Sequence, residues 1–234
     1  MRRPLAAIAI VCGLGAAQTA ASQGTGLPPV PVEEASYHVP SFHNEYVTLL
    51  KVDIPAKSKS DYHTHSKDQI GVVLDDYPPE AYSVKLGQAP DAPRGVGPGE
   101  VSYSTYYKTP VTHQAINPGV LDAQIIGIIL DSPKPYGFTP LARDAAYTQA
   151  FDNDRARGWR LALQPGQSAP MITQKAPGMR VVVAGGRIAE ITPDGRERDK
   201  ALMKRDFFWQ DPGAARAVRN IGTTRVEIVE FELK

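Results

Sequence analysis

Three of the five histidines in the sequence form a pattern that can hold a metal ion. His63-Thr64-His65 lies between a turn-rich segment and an apolar stretch. On a β-strand, residues two apart face the same side, so both imidazoles can converge on one point. Imidazole suits Zn, Fe, Cu and Ni, and Mn less strongly. A third ligand must come from elsewhere in the chain, and His113 is the obvious candidate. Such a centre keeps positions open for a substrate or for dioxygen. His38 and His43 precede this region and read as part of a solvated arm or a lid packed on the core.

Strands must position these residues, because the chain shows short β-like runs and no long helical periodicity. The runs fall at Tyr46 to Ile54, Gln69 to Leu74, Ala81 to Leu86, Val101 to Tyr107 and Asp122 to Leu130. A Pro-rich break follows at Ser132 to Phe138, and Thr139 to Arg157 reads as mixed, with room for a short helix. A second β block runs from Trp159 to the C-terminus. The 20 glycines and 21 prolines in 234 residues punctuate many strands and turns.

The two blocks are alike. Ile54-Pro55-Ala56-Lys57-Ser58 parallels Leu163-Gln164-Pro165-Gly166-Gln167, and Asn117-Pro118-Gly119 parallels Asn220-Ile221-Gly222 before a terminal alternating strand. This pattern predicts duplication of a unit of about a hundred residues. The second copy has no histidine; Arg216 occupies the place of His113, and Gly178 that of Gln69. Arg216 and Arg219 read as solvated strand-edge residues, with an organic-anion site as the alternative.

His63-x-His65 followed by Gln69 and a strand containing Gly71 resembles the first cupin motif, and His113-Gln114-Ala115-Ile116-Asn117 resembles part of the second. The resemblance covers most of residues 42–131 and, more weakly, 159–234. It implies an all-β chain of two tandem cupin barrels, of double-stranded β-helix or jelly-roll type. The implied organisation is a lead-in at 23–41, a metal-bearing cupin domain at 42–131, a linker at 132–158 and a degenerate cupin domain at 159–234. It also implies one divalent transition metal (Fe, Mn, Ni, Cu or Zn) held by His63, His65 and His113, with Gln69 at the position where the family carries a glutamate. Asp68 is the replacement carboxylate if a bulge corrects its parity. Tyr82 and Tyr103 are candidates to bind substrate, within a group that includes Tyr62, Tyr106 and Tyr107. No residue is singled out as catalytic. The resemblance points to a dioxygenase acting on a small chelating substrate. A metal-dependent lyase or isomerase and a non-enzymatic ligand-binding cupin are the alternatives. It further carries the expectation that barrel edges pair into a homodimer.

The N-terminus has the three-part layout of a secretory signal over residues 1–22: Arg2-Arg3, an apolar run from Leu5 to Ala17, then Ala20-Ala21-Ser22. A periplasmic or secreted protein is therefore expected, with no membrane association after processing. Cys12, the only cysteine, would leave with the signal, so neither disulfides nor thiol chemistry are expected. The net charge of +1 and the lack of any basic run argue against a nucleic-acid partner and leave a small molecule as the expected ligand.

Overall fold

The computed structural model describes residues 27–74 and 78–234. The expected signal at 1–22 lies outside them. Among the described residues there is no α-helix, only one 3-10 turn at Val32–Glu34. The short helix expected within 139–157 is therefore absent; a strand begins at Tyr147 instead.

The first half carries β1 (Val30–Pro31), β2 (His38–His43), β3 (Val47–Ile54), β4 (Ser58–Lys59), β5 (His63–His65), β6 (Gln69–Val73), β7 (Tyr82–Lys85), β8 (Val101–Ser104), β9 (Val111–Asn117) and β10 (Ala123–Leu130). The second carries β11 (Tyr147–Asp152), β12 (Ala156–Leu163), β13 (Ser168–Thr173), β14 (Gly178–Ala184), β15 (Gly186–Ile191), β16 (Glu197–Leu202), β17 (Phe207–Gln210), β18 (Ala215–Asn220) and β19 (Val226–Leu233). One sheet of the first half runs β2-β3-β10-β6-β8, and its counterpart in the second runs β11-β12-β19-β14-β17, the same order of equivalent strands. The site strands form the other sheet, β1-β5-β9-β4, with β7 also paired to β9. Its counterpart is β13-β18-β15-β16.

The repeated Asn-x-Gly has one role in both halves. Asn117 Nδ2 donates to the carbonyls of Ile54 at 2.9 Å and Leu121 at 2.8 Å, and its Oδ1 accepts from Gly119 N–H at 3.1 Å. Asn220 does the same with Leu163, Thr224 and Gly222 at 2.9, 2.8 and 2.9 Å. Each asparagine ties the end of the first long strand of its half to the turn before the last.

β10 reads as a nearly continuous apolar run because both of its faces are buried. Ala123 and Ile129 face inward with Leu50, Val52 and Ile54 of β3. Ile126, Ile128 and Leu130 face the other way, onto Met179, Val181, Val229 and Phe231 of the second half. The β2-β3-β10-β6-β8 and β11-β12-β19-β14-β17 sheets thus share one core. Truncating a side chain there, such as Ile128, costs about 2–5 kcal/mol. A third cluster, including Trp159, Leu161, Val218 and Ile228, fills the interior of the second half.

The described part of the lead-in, residues 27–41, belongs to the packed structure. β1 pairs in parallel with β5, with Val30 beside His63, and Val32 joins the inner core. β11 and the start of β12 occupy residues that the sequence assigned to a linker.

Candidate metal centre

β5 and β9 are antiparallel neighbours in which His63 lies directly opposite His113. Alternation along β5 sends His63 and His65 to the same face, where both are buried. His63, His65 and His113 thus form a group whose ligand atoms all lie within 4.8 Å of one another. They share a cavity of about 210 Å³.

The hydrogen bonds set the tautomers. Nδ1 of His63 lies 2.9 Å from the Asp61 carbonyl, so it carries the proton and Nε2 bears a lone pair. That Nε2 is buried with no partner. Nδ1 of His65 lies 2.9 Å from Gln69 Oε1, so its Nε2 is likewise unprotonated. This Nε2 stands 3.0 Å from Nε2 of His113. Two imidazoles at right angles on one metal, with bonds of about 2.1 Å, place their nitrogens about 3.0 Å apart. The orphaned lone pair on His63 and the close nitrogen pair therefore fit an ion.

Burial pushes the His63 pKa down to about 4, with His38 and His65 adding repulsion against a backbone bond that raises it. Burial and then the His113 charge bring His65 down to about 3. Burial and then His63 bring His113 down to about 4. All three are neutral near pH 7, the form that ligates.

Gln69 sits behind a ligand: its amide oxygen receives the His65 Nδ1–H, on the edge of the ring away from Nε2. Gly127 leaves room for the Gln69 amide, since a Cβ there would come within 2.8 Å of its Nε2. Gly71, opposite Gly127, lines the cavity. Asp68 lies outside the site. Its buried carboxylate accepts from Tyr103 Oη at 2.8 Å, Tyr107 N–H at 2.9 Å and Arg155 Nη1 at 3.0 Å. The bulge that would have turned Asp68 inward is not present, and its parity directs it to the contact between the halves.

Tyr103 consequently packs in the core between the halves, with its ring 6.1 Å from Phe151, and does not line the cavity. Tyr82 lines an adjoining outer cavity of about 450 Å³. The tyrosine that reaches the site is Tyr106, stacked on His65 with ring centroids 4.7 Å apart. Tyr106, Ser83, Ser102 and Ile125 line both cavities, so the two are neighbours. His38 was also missed as a site residue. Its ring centroid lies 4.6 Å from that of His63, and its Nδ1 is bonded to the Ser36 carbonyl at 2.9 Å. Burial lowers its pKa. Sequence spacing gave no signal for it, because β2 and β5 meet only through the fold. Tyr106 lies beyond the end of β8, where strand parity no longer indicates direction.

The second half is built differently at the corresponding place, as the strand registers show. Arg216 pairs with Ile172 as His113 pairs with His63. Arg180 pairs with Glu230 where Gly71 pairs with Gly127. A glycine pair that leaves room is thus replaced by a long ion pair that fills it. Glu230 receives Arg216 at 2.6 Å and Arg180 at 3.1 Å. Burial alone would raise its pKa, but Arg216, Arg180 and Arg143 outweigh that and hold it down to about 2. Arg216 is therefore a buried, paired residue and not a solvated edge residue. Arg219 is exposed and pairs with Glu197 at 2.7 Å.

No protein-family model matches the chain, and no curated protein does. Solved structures do. A cupin 2 conserved barrel domain protein from Leptotrichia buccalis is similar at TM-score 0.51 and 8% identity, over 86% of this chain and 89% of that one. A salicylate 1,2-dioxygenase variant from Pseudoaminobacter salicylatoxidans, in complex with gentisate, gives TM-score 0.53 and 12% identity, over 80% of this chain and 68% of that one. Oxalate decarboxylase from Bacillus subtilis, described with Mn(II) centres, gives 0.54 and 11%, over 81% and 69%. At these identities the likeness concerns the fold, and the fold is that of the cupins.

Proposed function

We propose that this cupin-fold chain is an exported protein with a single mononuclear metal centre on His63, His65 and His113, acting as a dioxygenase on a small chelating substrate. The observation that carries the reading is the convergence of three neutral imidazoles, two buried and one half-buried, one of them with an orphaned Nε2, on a shared cavity beside a larger one. When bound, a metal there supplies Lewis-acid character and, for Fe or Mn, reactivity towards dioxygen. Three neutral ligands leave its charge uncompensated, which favours an anionic chelating group on the open positions.

The chain's own residues suit that task. Gln69 and the Asp61 carbonyl fix two rings, Tyr106 covers His65, and Ser83, Ser102 and Ser104 offer hydroxyls for orienting a polar ligand. Among the described residues, no Asp, Glu, Lys or Arg lines the inner cavity. A lyase or isomerase, which needs a positioned acid and base, therefore has little support beyond His38. The same absence favours a second reading, reversible binding of a small ligand without turnover. One neighbour is a salicylate 1,2-dioxygenase variant in complex with gentisate and another an oxalate decarboxylase, so salicylate, gentisate and oxalate serve here as probes. We further propose two tandem barrels and signal-directed export, supported by the repeated strand order and by the basic-apolar-small layout of residues 1–22.

The test is oxygen uptake by Fe(II)- and Mn(II)-loaded mature protein with gentisate, salicylate and catechol, with oxalate consumption followed in parallel. Oxygen consumption that depends on both metal and substrate supports the dioxygenase. Tight binding of a chelator with no consumption of any probe would replace it with the binding reading.

A further inference from the structure

The second half carries no metal site, yet one of its side chains reaches the supports of His65. Arg155, buried just before β12, donates through Nη1 to Asp68 Oδ2 at 3.0 Å, and it also binds the Ser132 carbonyl. The same carboxylate takes the Tyr107 backbone N–H at 2.9 Å. Asp68 directly precedes Gln69, whose amide holds His65 Nδ1 at 2.9 Å. Tyr107 directly follows Tyr106, whose ring stacks on the same imidazole. One buried carboxylate therefore anchors the two segments that touch one ligand, and its counter-charge comes from the other half of the chain. We propose that Arg155 is a positioning residue: through Asp68 it sets the placement of Gln69 and Tyr106, and so the orientation of His65 in the metal centre.

This rests on the proposed metal centre. Removing Arg155 leaves Asp68 bonded to Tyr103 and Tyr107 but uncompensated in a buried position, so the start of β6 and the 105–108 turn must shift or take in water. The effect on metal affinity should match that of a coupled network residue, about 3- to 30-fold.

The experiment measures Co(II) binding to the purified mature protein by chelator competition and by the visible absorption of the bound ion, with thermal unfolding followed in parallel. The proteins are wild type, Arg155→Met, Arg155→Lys and Arg143→Met. Arg143 is a buried fork to Glu230 and Glu232 in the second half, so its loss reports general destabilisation away from the site. The expected result is weaker binding and a shifted cobalt spectrum in Arg155→Met, and an intermediate effect in Arg155→Lys. Arg143→Met should unfold at lower temperature yet keep wild-type affinity and spectrum. Should Arg155→Met fail to fold, Arg155→Lys must itself bind more weakly than wild type. Wild-type affinity in the foldable Arg155 variants, or equal weakening in Arg143→Met, overturns the inference while leaving the metal centre standing. A wild-type protein that binds no cobalt overturns the centre itself, and the inference with it.

Discussion

Replacing Gln69 with leucine isolates the support that the structure gives to His65. The substitution removes the oxygen that accepts Nδ1–H at 2.9 Å, in a region bounded by Gly71 and Gly127, without opening a large void. The ring is buried, so the Nδ1–H would be left unsatisfied, at a cost of about 1–3 kcal/mol. The ring would then rotate or draw in a water, and either response misaligns Nε2. Loss of such an outer partner lowers metal affinity by about 10- to 100-fold, or about 1.4–2.7 kcal/mol, which overlaps the cost of the orphaned donor. Zinc affinity by chelator competition at pH 7.5 measures the first quantity, and thermal unfolding in EDTA the second. Gln69→Leu should weaken zinc binding and lower the unfolding temperature of the metal-free protein, whereas Gln69→Glu, which keeps an acceptor, should hold affinity. Zinc affinity equal to wild type in Gln69→Leu would refute the assignment of Gln69 as the residue that fixes His65.

Without metal, the folded pKa values of about 4, 3 and 4 for His63, His65 and His113 lie below the ordinary 6.5. The unfolded chain thus takes up protons first as pH falls. Their stabilising contribution is complete above pH 6.5 and is lost as pH falls to about 4 for His63 and His113 and to about 3 for His65, with a slope of up to about 1.4 kcal/mol per pH unit for each ring. Urea unfolding across that range, compared with His65→Gln, tests this; equal slopes would refute it. For the same reason, proton competition for the metal should set in nearer pH 4 than the pH 6 expected of exposed imidazoles. Tyr106→Ala removes a ring stacked on His65, worth about 0.5–1.5 kcal/mol, and should weaken zinc about 2- to 10-fold while admitting bulkier chelators. Competition with chelators of graded size reads both effects. Glu230→Gln leaves three guanidiniums short of a carboxylate and should cost about 3–5 kcal/mol in stability with metal affinity unchanged. Chemical denaturation beside a zinc titration checks that separation.

Much of the strand pattern was legible in the sequence, because alternation and apolar runs record which faces are buried. The runs at 46–54, 69–74 and 122–130 correspond to β3, β6 and β10. The segment 139–157 was harder to read, since β11 is an edge strand with one exposed face and a bulge, and its composition does not alternate. The histidine group was legible because two members lie on one strand and the third opposite them. What parity could not show was the use of the polar residues between. Gln69 has the parity of a ligand but is engaged from behind, and Asp68 faces a core shared by both halves, a partner that a single strand's pattern cannot reveal. Arg216 illustrates the same limit: its type suggested a solvated edge, but Glu230 and Arg180 replace Gly127 and Gly71 and bury it in an ion-pair cluster. His38 and Tyr106 come to the site only through tertiary packing.

The most direct test of the metal centre is elemental analysis of the purified mature protein by inductively coupled plasma mass spectrometry, alongside His65→Ala. The wild type should carry about one Fe, Mn, Ni, Cu or Zn per chain, and His65→Ala should lose it with the β-sheet circular dichroism retained. No metal in the wild type after reconstitution with each of these ions, or the same metal content in His65→Ala, would contradict the assignment.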